Sequence, residues 1–412
     1  MAEPAYNILF LTLVEFDNIE DRGIYMDLLR CMRDRGHRVY IVNPHQKREG
    51  KQTECVEKNG VTLLHVRTGN LTQTKNIIEK GLSTVSLDPL FIRAIRRWYS
   101  DVRFDLVLYS TPPVTLVKTV SFLKRRDGCR TFLLLKDIFP QNAVDIGLMK
   151  TGGPAGLLYR WFRRTEKRLY AVSDRIGCMS QANVDYLLAH NPELPAEEVC
   201  ICPNSIIPWN CRLSDAEKAA LRRRWGIPQD RILLIYGGNL GKPQGIPYLI
   251  ECLRAQRCAE LHFLIVGDGT EYPLLERFVQ TERPDNVTLL QKLPQQEYEA
   301  LASAADIGMI VLDCRFTIPN FPSRLLSYLN AAIPVLAMTD RNTDLGQIIT
   351  DGGFGWWCES RNVSDFLKLL ERIRTDDRKR MGEAGRQYLL DHYDAEKACD
   401  SIIRSFSENG VG

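Results

Sequence analysis

Short apolar runs, each followed by a stretch of helical period, recur along the entire chain. The first half holds YNILFLTL at 6–13, HRVYIVNP at 37–44, VTLLHVR at 61–67, DLVLYS at 105–110, TFLLLKD at 131–137 and RIGCMS at 175–180. Runs this short and this uniformly apolar suit strands buried on both faces. Between the first two lies a stretch, 23–35, with Ile24, Leu28, Leu29 and Met32 at helical spacing and Gly36 to close it. Strand and helix in alternation call for a parallel sheet built from βαβ units. The segment 203–214 (PNSIIPWNCRLS) has no period and reads as a linker. Beyond it the pattern restarts with RILLIYGG, LHFLIVGDG, NVTLLQ, DIGMIVLD and IPVLAM, beginning at 231, 261, 286, 306 and 333. We therefore expect an α/β chain of two doubly wound domains facing across a cleft, over 1–203 and 204–392. A closing helix at 393–412 should return to the first. Ligands of such sheets sit beyond the carboxyl ends of the strands.

Composition narrows the class. With 412 residues, 44% hydrophobic and 25% charged, the chain can bury two cores, and disorder, collagen and small disulfide scaffolds are excluded. No apolar run approaches the roughly 20 residues that span a bilayer, and the opening MAEPAYNILFLTL lacks a basic leader. Twelve cysteines without a CxxC pair, and six histidines without a cluster, imply reduced thiols and no metal site. The net charge of +3 conceals an asymmetry: residues 1–190 hold 29 basic and 20 acidic side chains, a balance of +9, which leaves −6 for the remainder. Only the first half is expected to face an anionic surface.

Three motifs in the second half carry chemistry. In YGGNLGKPQG, Gly237, Gly238 and Gly241 leave a strand and lead towards a helix. Glycines there let the backbone approach a phosphate, which the next helix N-terminus can meet with free N–H groups. In VGDGTEYPLLE, Gly267, Asp268 and Gly269 stand between strand and helix in the same way. In FTIPNFPSRLLSYLNAAIPVLAM, Ser323 and Arg324 fall at a helix start, the serine as an N-cap and the arginine placed to neutralise a phosphate. None of the spacings is that of a P-loop or a dinucleotide fingerprint.

The order of these motifs resembles the donor domain of the GT-B fold in family 4 of the retaining glycosyltransferases. In the first half, LLLKDIFPQNAVDIG is similar to the Asp–aromatic–Pro segment of the branch that builds capsule, exopolysaccharide and O-antigen units. That resemblance implies two Rossmann-like domains and a nucleotide-sugar co-substrate, most simply a UDP-sugar, with no further cofactor. It places Gly237, Gly238, Asn239 and Lys242 at the donor diphosphate, Gly267, Asp268 and Gly269 along the nucleotide, and Leu293 in the segment that reads the base. Ser323, Arg324 and Tyr328 match the proline–serine–basic motif, and Gly23 lies on the first-domain loop facing donor and acceptor. There are departures. Two family glutamates fall on Pro319 and Ser327, and the basic pair of the phosphate loop falls on Asn239 and Gln244, so the phosphate role passes to Lys242 and Arg324.

Asp137 ends a strand, where a carboxylate could orient an acceptor hydroxyl or take its proton. No Asp-x-Asp dyad is present, which fits a metal-free transfer. In GLLYRWFRRTEKRLYAV (Gly156–Val172), Leu158, Trp161, Phe162 and Leu169 form a rough stripe among Arg160, Arg163, Arg164, Lys167 and Arg168. Such a helix could lie on an anionic membrane surface. Nucleic acid is not an expected partner. The reading is a retaining, metal-independent glycosyltransferase, cytoplasmic and peripheral at the inner membrane face, acting on a lipid-linked or oligosaccharide acceptor in surface polysaccharide biosynthesis. Its rivals are an inactive GT-B partner subunit and a nucleotide-sugar 2-epimerase.

Overall fold

The computed structural model describes residues 4–71 and 83–407. The chain divides into two units, one of residues 1–207 with 395–412 and one of Pro208–Asp394. The first division, after Ile207, falls inside the segment 203–214 read as a linker, and the second follows Asp394.

The first unit has eight strands: β1 (Asn7–Leu11), β2 (Arg38–Gln46), β3 (Glu54–Lys58), β4 (Val61–Thr68), β5 (Leu106–Ser110), β6 (Arg130–Leu135), β7 (Arg175–Cys178) and β8 (Val199–Ile201). Their order is β3-β4-β2-β1-β5-β6-β7-β8, parallel except for β3, which pairs antiparallel with β4. Two strands lay outside the sequence expectation. The β3 run ECVEK is too polar to stand out, since it is a mostly exposed edge strand joined to β4 by Asn59-Gly60, both at positive φ as a tight hairpin turn requires. The other, β8, has only three residues. Strand order reverses at β1, whose loop runs through residues 12–23 into helix Ile24–Asp34. Helix Ala395–Ser407 packs on that helix: Ala395, Ala398, Cys399, Ile402 and Ile403 join Leu28, Leu29 and Met32 in one core, and Arg35 pairs with Glu396 and Asp400. Residues 408–412 lie outside the described residues.

The second unit has six parallel strands, β9 (Ile232–Asn239), β10 (Leu261–Asp268), β11 (Val287–Leu290), β12 (Ile307–Val311), β13 (Val335–Thr339) and β14 (Gly355–Glu359), in the order β11-β10-β9-β12-β13-β14. Here β14 (GWWCE) was not anticipated. Order reverses at β9, so the glycine loop that follows it occupies the topological switch point, the place where doubly wound sheets bind ligands.

Candidate functional site

The site of the second unit is built around that loop. The register of β9 and β10 sets Gly238 beside Gly267 and Asn239 beside Asp268, so the first two glycine motifs become one surface. The amide of Leu240 donates to the Asp268 carbonyl at 2.7 Å and the Leu240 carbonyl accepts from Glu271 at 2.8 Å. This close approach explains Gly267, where a Cβ would lie 2.0 Å from the Gly238 carbonyl oxygen. Gly238 itself has φ +121, open to glycine and strained for other residues. Gly238, Asn239, Asp268 and Gly269 are exposed, as is Lys242, which opens a single turn of 3₁₀ helix, Lys242–Gln244. Gln244, where a basic residue was expected, accepts from Gly241 N at 3.2 Å and Asn239 Nδ2 at 3.3 Å. It shapes the loop instead of adding charge.

Arg324 begins helix Arg324–Asn330 and lies over Tyr236, its guanidinium 4.3 Å from the ring centroid. A Cβ on Gly238 would be 3.5 Å from Arg324 Nη2. Its Nη1 is buried and has no hydrogen-bond partner. A guanidinium with an unmet donor beside an exposed glycine loop has the charge and the hydrogen-bonding capacity to engage an anion. Ser323 is exposed and makes no side-chain cap bond, so the expected serine N-cap is not formed.

Tyr328 corrects the expectation of a donor contact. It is fully buried, and its hydroxyl shares its proton between the carbonyls of Ile235 at 3.2 Å and Met309 at 3.1 Å. It also accepts from Tyr298 at 3.4 Å. Its place is a strut under β9 and β12. Two residues that the sequence reading missed complete the support. Tyr236 donates to the Asn239 carbonyl at 2.9 Å, and Tyr298 packs where a Cβ on Gly237 would be 2.0 Å from its ring. Tyr236 immediately precedes the glycines, and that position was the available signal. Leu293 is half-buried in the segment after β11, Pro319 is buried before the Arg324 helix, and Ser327 is half-buried within it.

In the first unit Asp137 follows β6. Its Oδ2 accepts from Asn142 Nδ2 at 2.6 Å, while Oδ1 is buried without a partner. Burial pushes this carboxyl up to about 6. A carboxylate with that proton affinity, one oxygen unengaged, suits base chemistry near neutral pH. Gly23 caps helix Ile24–Asp34 through its backbone, its N–H donating to Asp27 Oδ1 at 3.3 Å.

Helix Gly156–Val172 divides its apolar residues differently from the expected stripe. Leu169 is fully buried, and Phe162 stacks edge-on against Phe139 at 4.8 Å. Leu157, Leu158 and Trp161 face outward at 62%, 52% and 41% exposure. Exposed Leu148 precedes them in the chain. Arg160, Arg164 and Arg168 are exposed, whereas Arg163 is held by Glu166 and Asn191, both at 2.6 Å. Among the described residues no helix is long and apolar enough to cross a membrane.

Residues 24–208 match the family described as Glycosyltransferase Family 4 and residues 217–388 match Glycosyl transferases group 1. By these two matches together the chain belongs to the family 4 glycosyltransferases, and its two parallel-sheet units have the fold of GT-B enzymes. It is 23% identical over 321 residues to the probable glycosyltransferase WbjE of Pseudomonas aeruginosa, covering 77% of each chain. It is 27% identical over 285 residues to the putative colanic acid biosynthesis glycosyl transferase WcaI of Escherichia coli K12, covering 66% of each. In fold it is similar to the sucrose-phosphate synthase of Thermosynechococcus elongatus, with TM-score 0.73, 16% identity and 98% of each chain covered. It is also similar to Anabaena HepE, solved in complex with UDP-glucose, with TM-score 0.68, 14% identity, and 98% of this chain and 100% of that one covered.

Proposed function

We propose that this glycosyltransferase moves a sugar from a UDP-sugar to a lipid-linked or oligosaccharide acceptor in surface polysaccharide biosynthesis, with retention and without a catalytic metal. The observation that carries the reading is the buried, unpartnered Nη1 of Arg324 beside the paired loops of Gly238 and Gly267. A leaving diphosphate placed there meets a fixed guanidinium, backbone amides of the glycine loop and exposed Lys242, so its developing charge is stabilised electrostatically. Asp137 is the residue for the acceptor hydroxyl, as orienter or base. The polysaccharide assignment is supported by the colanic acid role in the name of WcaI, and the uridine donor by the UDP-glucose complex of HepE.

The same reading places the protein at the cytoplasmic membrane face. Leu157, Leu158 and Trp161 would enter the interface, and Arg160, Arg164 and Arg168 would meet anionic headgroups. A lipid-linked acceptor would be reached from that position.

The test is release of UDP from a panel of UDP-sugars, with and without a lipid-linked acceptor. Acceptor-dependent release from one donor supports the transferase. No release from any donor favours the inactive partner subunit, which lacks the glutamates at Pro319 and Ser327. Interconversion of donors without an acceptor favours the epimerase.

A further inference from the structure

A donor laid on the second unit with its base near Leu293 after β11 and its diphosphate at the loop after β9 has used one half of the sheet. Its sugar continues towards β12, which adjoins β9 on the other flank, about 5 Å away. The loops after β12, β13 and β14 therefore bear on which sugar is taken.

Those loops are residues 312–323, 340–344 and 360–362. Their exposed charged side chains are Arg315, Arg341 and Arg361, whereas Asp313 and Asp344 are half-buried. Asp340 is buried and accepts from the amides of Asn342 at 2.8 Å and Thr343 at 3.1 Å. Glu359, the buried last residue of β14, accepts from Nε of Arg341 at 2.8 Å and from Nε of Arg361. Between Asp313 and Asp340 the sequence has no Asp or Glu. In the acidic half of the chain, this edge presents cations.

Of the three arginines, Arg315 is the one tied to the diphosphate loop. The amide of Asp313 donates to the Pro243 carbonyl at 2.9 Å, within the turn Lys242–Gln244. A Cβ on Gly245 would lie 3.3 Å from Asp313 Cα, so the two segments are in close contact. Asp313 then fixes the arginine. Its Oδ1 accepts from Arg315 N and Nε, both at 2.9 Å, and its Oδ2 accepts from Nη2 at 2.8 Å. That pairing occupies the Nε side of the planar guanidinium. The Nη1–Nη2 edge, which can grip a second carboxylate with two parallel N–H bonds, faces away from Asp313. The side chain is 53% exposed, so this edge is open to a ligand.

We propose that the donor is a UDP-uronic acid and that Arg315 selects it, its open edge taking the sugar carboxylate through two hydrogen bonds. This rests on the UDP-sugar reading under Proposed function. Arg324 and Lys242 serve the diphosphate there, so the sugar carboxylate meets a cation of its own. Arg341 and Arg361, at the ends of the next two strands, add a field of the same sign. A neutral hexose in the same place offers Arg315 only hydroxyls and forgoes the charge-assisted pair.

The experiment measures by calorimetry the affinity of the full chain for UDP, UDP-glucose, UDP-glucuronate and UDP-galacturonate, in wild type, Arg315→Gln and Arg315→Lys. We expect one of the uronates to bind at least about tenfold more tightly than UDP-glucose. Arg315→Gln should abolish that preference and leave the affinity for UDP unchanged, which also verifies the fold. Arg315→Lys keeps the charge without the fork and should retain only part of the preference. The proposal is overturned, with the UDP-sugar reading intact, if UDP binds but neither uronate exceeds UDP-glucose, or if the preference survives Arg315→Gln. Failure of UDP itself to bind the wild-type chain overturns the UDP-sugar reading and the proposal with it.

Discussion

Both sheets reverse their strand order at a central strand, and at those two equivalent points the protein builds opposite chemistry. After β9 the loop is glycine-lined and backed by Arg324 on Tyr236, with an unmet guanidinium donor. After β1 the loop carries Glu15, Asp17, Glu20 and Asp21, and Asp17 lies beside the buried, stacked imidazoles of His45 and His65. The residues that surround them have the reverse balance, since the +9 of residues 1–190 contains the acidic loop and the −6 of the rest contains the cationic one. Net charge describes the surface a domain shows at long range. The local chemistry of a switch point is set by the few side chains that the strand register brings within a few ångströms.

The largest expected effect comes from closing the glycine surface. Gly267→Ala puts a Cβ against the Gly238 carbonyl, a backbone atom that cannot swing aside. It should cost more than about 3 kcal/mol in a denaturant titration and abolish UDP binding. Retained UDP affinity would mean that the two glycine loops do not act as one site.

Asp137→Asn addresses the other unit. Turnover should fall by about 10²–10⁴-fold while UDP affinity stays, because the loss appears only in the transition state. The same variant reads the proton. A carboxyl raised from 3.8 to about 6 on folding is most favourable when protonated. Its contribution to stability is complete below about pH 4 and is lost as pH rises through about 6. Stability of the variant relative to wild type should therefore rise across that window, and a flat difference would contradict the buried, unpartnered Oδ1.

A smaller effect is expected at the surface. Replacing Arg160, Arg164 and Arg168 by Gln removes three exposed cations at roughly 1 kcal/mol each near an anionic surface. Sedimentation with anionic vesicles at low salt should weaken by about a hundredfold, with UDP binding intact. Equal binding to neutral and anionic vesicles would remove the electrostatic docking.

Most of the architecture was readable because parallel strands buried on both faces leave long apolar runs, and β1, β2, β9 and β10 all fall within such runs. The polar edge strand β3 and three-residue β8 leave no such trace. Gly237, Gly238 and Gly267 do stand at strand ends and Arg324 at a helix start, positions that the sequence pattern made legible. Tyr328 was misread as a contact because a motif gives position in sequence and not direction, and the direction here is into the core. The stacking of His45 on His65 was invisible for a related reason: no spacing rule links 45 to 65, and only the register of β2 with β4 joins them. The same holds for Asp17, which reaches them from a loop that is not regular structure.

The central claim is that the guanidinium of Arg324 and the glycine loop after β9 form an anion site for a nucleoside diphosphate. The direct measurement is the affinity of UDP for wild type and Arg324→Ala by calorimetry, with circular dichroism to verify the fold. A charge-assisted contact to phosphate is worth about 1.5–3 kcal/mol, so the variant should bind UDP one to two decades more weakly with its fold unchanged. Equal affinity in a folded variant would remove Arg324 from the site and contradict the account.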